Sequence, residues 1–140
     1  MKYKVMIVED QTMPRELFEL RVQASERFEL ALSIDNAALA DVYCLRFPVD
    51  LILMDVITRD GENGLDAAAR IKRAFPQIKI IIVTSMPECS YLKRAKEIGV
   101  ESFWYKEEQR ESLLDVMERT MNGESVYPGA SPELTLGMAS

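Results

Sequence analysis

The feature that most constrains this chain is one alternation repeated five times. A short apolar run is followed each time by a stretch whose apolar residues recur at helical spacing. The runs are Lys4-Val5-Met6-Ile7-Val8, Phe28 to Ile34, Val49 to Asp55, Ile78 to Val83 and Ser102 to Tyr105. Short apolar runs bounded by polar residues belong to strands buried on both faces. Parallel neighbours need a crossover, so the alternation predicts an α/β fold in which helices cover both faces of a parallel sheet.

The stretches between the runs predict the helices. Thr12 is placed to cap a first helix opening on Met13-Pro14, with Met13, Leu17, Leu20 and Ala24 as its inward stripe to about Ser25. Asp35-Asn36 offers a cap for a short second helix marked by Ala38, Val42 and Leu45 and reaching Phe47. The third uses Leu65, Ala68, Ile71 and Phe75 and stops at Pro76. Pro87 opens a fourth, with Leu92, Ala95 and Ile98 inward and Gly99 at its end. A fifth is expected from about Glu107 to Asn122, burying Leu113, Met117 and Met121. From Gly123 the chain loses helical period and is rich in proline, glycine and serine, as a linker is. The division expected is a domain over 1–122 and a linker over 123–140 toward a further, absent domain.

Charge and composition narrow the function. With 17 basic and 23 acidic side chains the net charge is −6, which would repel a phosphate backbone, so this segment itself is not expected to bind nucleic acid. Cys44 and Cys89 form no Cys-x-x-Cys pair and have no histidine beside them, arguing for reduced thiols and against a zinc site. No apolar stretch reaches the roughly 20 residues of a membrane helix. A soluble, cytoplasmic chain is expected.

Parallel strands put their C-terminal ends on one edge, which is where ligands bind in open α/β sheets. Glu9 and Asp10 follow the first strand, Asp55 ends the third, Thr84 ends the fourth and Lys106 follows the fifth. Crowded carboxylates need a cation among them, and an all-oxygen site suits Mg²⁺. A lysine and a threonine hydroxyl across such a site can meet a phosphoryl group. The chemistry implied is phosphoryl transfer to a carboxylate.

This set, in this order and each at a strand end, resembles the receiver domain of two-component response regulators over about residues 3 to 122. The resemblance implies a flavodoxin-like five-stranded parallel sheet of order 2-1-3-4-5. It implies that Asp55 takes phosphate from a sensor histidine kinase, that Asp10 binds Mg²⁺ directly, and that Glu9 helps through water. Ile57 would lend its backbone carbonyl to the metal. Lys106 and Thr84 would meet the phosphoryl group, with Thr84 and the inward-turning Phe103 as the switch. Ile57 and Met86, two positions beyond Asp55 and Thr84, would tune dephosphorylation; both are apolar, so a long-lived aspartyl phosphate is expected. Such a domain is not an enzyme in its own right but assists its own aspartyl phosphorylation and dephosphorylation.

Two departures from the family pattern stand out. Thr58-Arg59 replaces the frequent Met-Pro, and Gly64 comes one residue late, predicting a reshaped loop after Asp55. Glu107 follows Lys106 where proline is common. That variant, with its linker, resembles receivers joined to a helix-turn-helix DNA-binding domain, so the full-length protein would regulate transcription, with a homodimer formed on phosphorylation. The alternative is a stand-alone or degenerate receiver acting as a protein-interaction module, but no member of the set is missing. An Asp-dependent phosphatase would need a second acid where Ile57 stands. A flavin or nucleotide carrier would need a glycine-rich or hydroxyl-rich phosphate loop where Glu9-Asp10-Gln11 stands.

Overall fold

Five strands form one parallel sheet: β1 (Tyr3–Val8), β2 (Phe28–Ile34), β3 (Leu51–Asp55), β4 (Lys79–Thr84) and β5 (Ser102–Tyr105), in the spatial order β2-β1-β3-β4-β5. Between and after them run α1 (Thr12–Gln23), a 3₁₀ turn (Ala37–Leu39) leading into α2 (Ala40–Arg46), α3 (Gly64–Ala74), α4 (Cys89–Ile98) and α5 (Leu113–Met121). This computed structural model describes residues 1–58, 62–85, 88–107 and 111–128.

Alternation along the strands explains the two layers. Val5 and Ile7 of β1, with Leu51 and Leu53 of β3, meet Phe18 and Val22 of α1 and Leu113, Val116 and Met117 of α5. Met6 and Val8, with Ile52 and Met54, meet α2, α3 and α4 on the opposite face. Because both faces are covered, residues 5–8 of β1 and 51–54 of β3 carry no polar side chain, and their continuous apolar runs follow from that.

Two helices present a different face from the one their strongest stripe predicts. On α1, Met13, Leu17 and Leu20 are 82, 47 and 64% exposed, while Phe18 and Val22 are buried. Arg15 fixes this rotation, its Nη1 donating to the Glu9 carbonyl at 3.0 Å. On the second helical segment Val42 and Leu45 face outward and the small residues Ala37, Ala40 and Cys44 face the sheet. Small side chains let so short a helix lie close to the strands. Periodicity finds an amphipathic helix but cannot choose between two apolar stripes.

Three helix starts also differ; α4 begins at Cys89 with Glu88 before it, and Pro87, its expected opening, lies outside the described residues. Gln11, not Thr12, precedes α1, and its side chain makes no capping bond. Helix α5 opens six residues later than expected, where Ser112 Oγ accepts from the Asp115 amide at 3.1 Å. Lys106 and Glu107 lie in a turn, and Trp104 Nε1 donates to the Glu111 carbonyl at 2.9 Å, holding the approach to the helix against β5. On α3 and α4 the expected stripes do face inward: Leu65, Ala68, Ile71 and Ala95 are buried, with Phe75, Leu92 and Ile98 packed against them.

Candidate functional site

Strand register gathers the polar strand ends. Asp55 lies opposite Val83 of β4, so Thr84 stands one residue further toward the edge; Thr84 lies opposite Tyr105, and the Lys106 amide donates to the Thr84 carbonyl at 2.9 Å. On the other side of β3, the Glu9 amide donates to the Ile34 carbonyl at 3.0 Å, continuing β1 one residue beyond Val8, to the level of Asp55.

Glu9, Asp10 and Asp55 each offer a carboxylate oxygen, and these oxygens lie within 4.8 Å of one another. Glu9 is 1% exposed and Asp55 7%, whereas Asp10 is half-buried. Glu9 Oε2 accepts from the Gln11 amide at 3.1 Å. Its Oε1 lies 2.5 Å from Lys106 Nζ, an ion pair that occupies this buried oxygen. Lys106 Nζ also reaches Asp55 Oδ2 at 3.5 Å. Burial pushes the Asp55 carboxyl up to about 7, the Glu9 charge adds to the rise, and Lys106 opposes it. Lys106 is thus shared by Glu9 and Asp55, and Asp10 brings a third carboxylate to the same cluster. That donor set fits a hard divalent cation such as Mg²⁺.

The segment leaving Asp55 is fastened at several points. The Gly64 amide donates to the Val56 carbonyl at 2.6 Å, and Asn63 Oδ1 caps α3 by accepting from the Leu65 amide at 2.7 Å. Thr58 Oγ1 accepts from the Ala37 amide at 3.0 Å and donates to the Glu62 carbonyl at 3.1 Å, tying the loop to the start of the 3₁₀ turn. Ile57 bridges Asn63, and its residue is half exposed. Thr58 and Gly64 mark the expected departure after Asp55, but sequence reasoning missed these contacts, which tie the loop down. Asn63-Gly64 directly before an amphipathic run was the available signal for the second. Residues 59–61 and Met86 lie outside the described residues. Thr84 is buried at the edge of β4, and Phe103 is buried with its ring centroid 5.3 Å from that of Tyr105, nearly perpendicular to it.

A sequence profile described as the response regulator receiver domain matches residues 5–118. The chain belongs to the response regulator receiver domain family. Among curated relatives, the response regulator protein VraR of Staphylococcus epidermidis is 31% identical over 138 residues, covering 99% of this chain and 64% of its own length. This chain thus spans somewhat less than two thirds of that relative. Among solved structures, a LuxR-family two-component response regulator from Aurantimonas sp. SI85-9A1 superposes with a TM-score of 0.85 at 19% identity, over 99% of this chain and 96% of that one. A LuxR-family DNA-binding response regulator from Staphylococcus aureus gives a TM-score of 0.77 at 25% identity, over 84% of this chain and 98% of that one. The receiver fold explains the sheet order found here, and receivers in general use Mg²⁺ and take phosphate from a histidine kinase. Among the described residues no helix of this receiver is long and apolar enough to cross a membrane.

Proposed function

We propose that this receiver takes a phosphoryl group from a sensor histidine kinase onto Asp55 and passes the change to an output domain beyond residue 140. The observation that carries this reading is the meeting of three carboxylates within 4.8 Å, with Lys106 Nζ 3.5 Å from Asp55. In the transfer, an Asp55 oxygen forms a bond to phosphorus as the bond from phosphorus to the kinase imidazole nitrogen breaks. The electron pair leaves on that nitrogen, which takes up a proton.

Mg²⁺, held by Asp10, Asp55, the Ile57 carbonyl and, through water, Glu9, would supply positive charge against the phosphoryl oxygens. Lys106 is free to leave Glu9 and neutralise a second oxygen, and the Thr84 hydroxyl donates to a third. Catalysis is then positioning and electrostatics, which the domain provides for its own modification. Thr84 and Phe103 register the phosphoryl group. The segment 123–140 leads to a DNA-binding domain, a reading supported by the greater length of VraR and by the S. aureus structure being described as DNA-binding. A homodimer formed on phosphorylation would present two such domains together, in the cytoplasm where the kinase delivers phosphate.

The test is incubation with a small acyl phosphate, with Mg²⁺ present or chelated. One phosphoryl group gained only when Mg²⁺ is present is the expected result; gain at an equal rate under chelation would contradict the metal's role.

A further inference from the structure

Sequence composition marks everything after Gly123 as linker, yet the first residues of that segment are bonded into the receiver. Gly123, at φ +99°, ends α5 in a Schellman turn: its amide donates to the Thr120 carbonyl at 3.1 Å and the Glu124 amide to the Arg119 carbonyl at 3.0 Å. The chain then runs back along the outer edge of β5. The Phe103 amide donates to the Val126 carbonyl at 2.8 Å, and the Val126 amide donates to Ser102 Oγ at 3.1 Å. Val126 packs with the α1 and α5 layer and Tyr127 with the α2 to α4 layer, the alternation of a strand.

The hydroxyls continue this connection inward. Ser102 Oγ and Thr120 Oγ1 are 2.7 Å apart and both residues are fully buried. Thr120 spends its one proton on the Val116 carbonyl at 2.6 Å, so Ser102 must donate to Thr120. A single run of donors thus passes from Val126 through β5 into α5. Tyr127 adds contacts to the neighbouring helix and loop. Its hydroxyl donates to the Val100 carbonyl at 2.5 Å, the Lys96 ammonium of α4 sits 5.1 Å from its ring centroid, and its ring lies 6.2 Å from that of Phe103 at 30°. Phe103 is 2% exposed, enclosed between Tyr105 and Tyr127.

We infer that Tyr127 is a positioning residue for Phe103: the strap formed by Val126 and Tyr127 holds the switch aromatic in its buried place, and phosphorylation and strap docking reinforce one another. This rests on Asp55 being the phosphoacceptor and Phe103 the aromatic that turns inward with it. Phe103 cannot swing out past the edge of β5 while Tyr127 lies against it. Coupling between two sites is reciprocal, so whatever the strap adds to phosphoryl affinity the phosphoryl group adds to strap docking. The output domain would then feel the switch directly, through the chain it is tied to.

The probe is beryllium trifluoride with Mg²⁺, which occupies a phosphoacceptor site without a covalent bond. In the 140-residue chain, saturation is expected to slow hydrogen exchange of the Phe103 and Val126 amides several-fold. Tyr127→Ala should weaken apparent beryllofluoride affinity about three- to tenfold, and Tyr127→Phe, which keeps the ring and loses only the bond to Val100, less than threefold. Should Tyr127→Ala fail to fold, the exchange measurement on the unaltered chain decides alone. Binding by the unaltered chain with no change in Phe103 and Val126 exchange overturns the strap and leaves the phosphoacceptor reading intact. Absence of any binding overturns both.

Discussion

A Cβ added to Gly64 would lie 1.8 Å from the Asp55 carbonyl oxygen, closer than any real carbon approaches. The start of α3 sits that close because the Gly64 amide is already bonded to the Val56 carbonyl. Gly64→Ala therefore has to push α3 or the end of β3 aside. We expect a loss of about 1–3 kcal/mol in chemical denaturation together with slower phosphorylation of Asp55 by a small acyl phosphate. The two cysteines make a second contrast at this scale. Burial pushes the Cys44 thiol up to about 11, with the Asp41 charge adding to the rise, while Cys89 is exposed. At pH 8 an alkylating reagent should label Cys89 and leave Cys44 unmodified until the pH approaches 11, because only the thiolate reacts. The raised value also means that the folded state keeps this proton where the unfolded chain loses it. Its stabilising contribution is complete below about pH 9 and falls as pH rises toward 11. Residue chemistry of this kind is partly legible in sequence. The gathering of the strand-end acids and Lys106 was legible from their places after the apolar runs of a parallel sheet, and their roles only from the family resemblance, whereas the tight contact under Gly64 depends on how a helix start meets a strand end, which no local pattern records.

At the scale of elements, α1 shows where sequence reading goes astray. Met13, Leu17, Leu20 and Ala24 make the more complete stripe, yet Phe18 and Val22 fill the space beside Phe28 and Leu53. Phe18→Ala should cost about 3–5 kcal/mol in chemical denaturation, and Leu20→Gln no more than about 0.5 kcal/mol. The opposite ranking would mean that the helix is rotated from the position described. The same ambiguity affected α2, where alanines face the sheet and larger apolar side chains do not. Helices with one apolar face, α3 and α4, were read correctly, and the strands were read to within two residues because a strand covered on both faces has no second stripe to choose. The start of α5 escaped for another reason. Glu107 onward is compatible with helix, and the boundary is set by Ser112 and by the bond from Trp104 to Glu111, the second of which is tertiary.

For the whole molecule, the sheet brings residues from four strand ends to one edge, and that convergence turns separate weak signals into a site. If Asp55 is phosphorylated as proposed, the side chain beside it is expected to set how fast water removes the phosphate. Ile57 is apolar and half exposed there, so Ile57→Asn should shorten the aspartyl phosphate lifetime by offering an amide to an attacking water, measured as phosphate loss after the donor is removed. An unchanged lifetime would remove Ile57 from the tuning role. Whether Asp55 itself carries the phosphate is read from intact mass after incubation with Mg²⁺ and a small acyl phosphate. One phosphoryl adduct is expected on the unaltered chain and none on Asp55→Asn; an adduct that persists in Asp55→Asn, or never forms on the unaltered chain, rules out Asp55 as the phosphoacceptor.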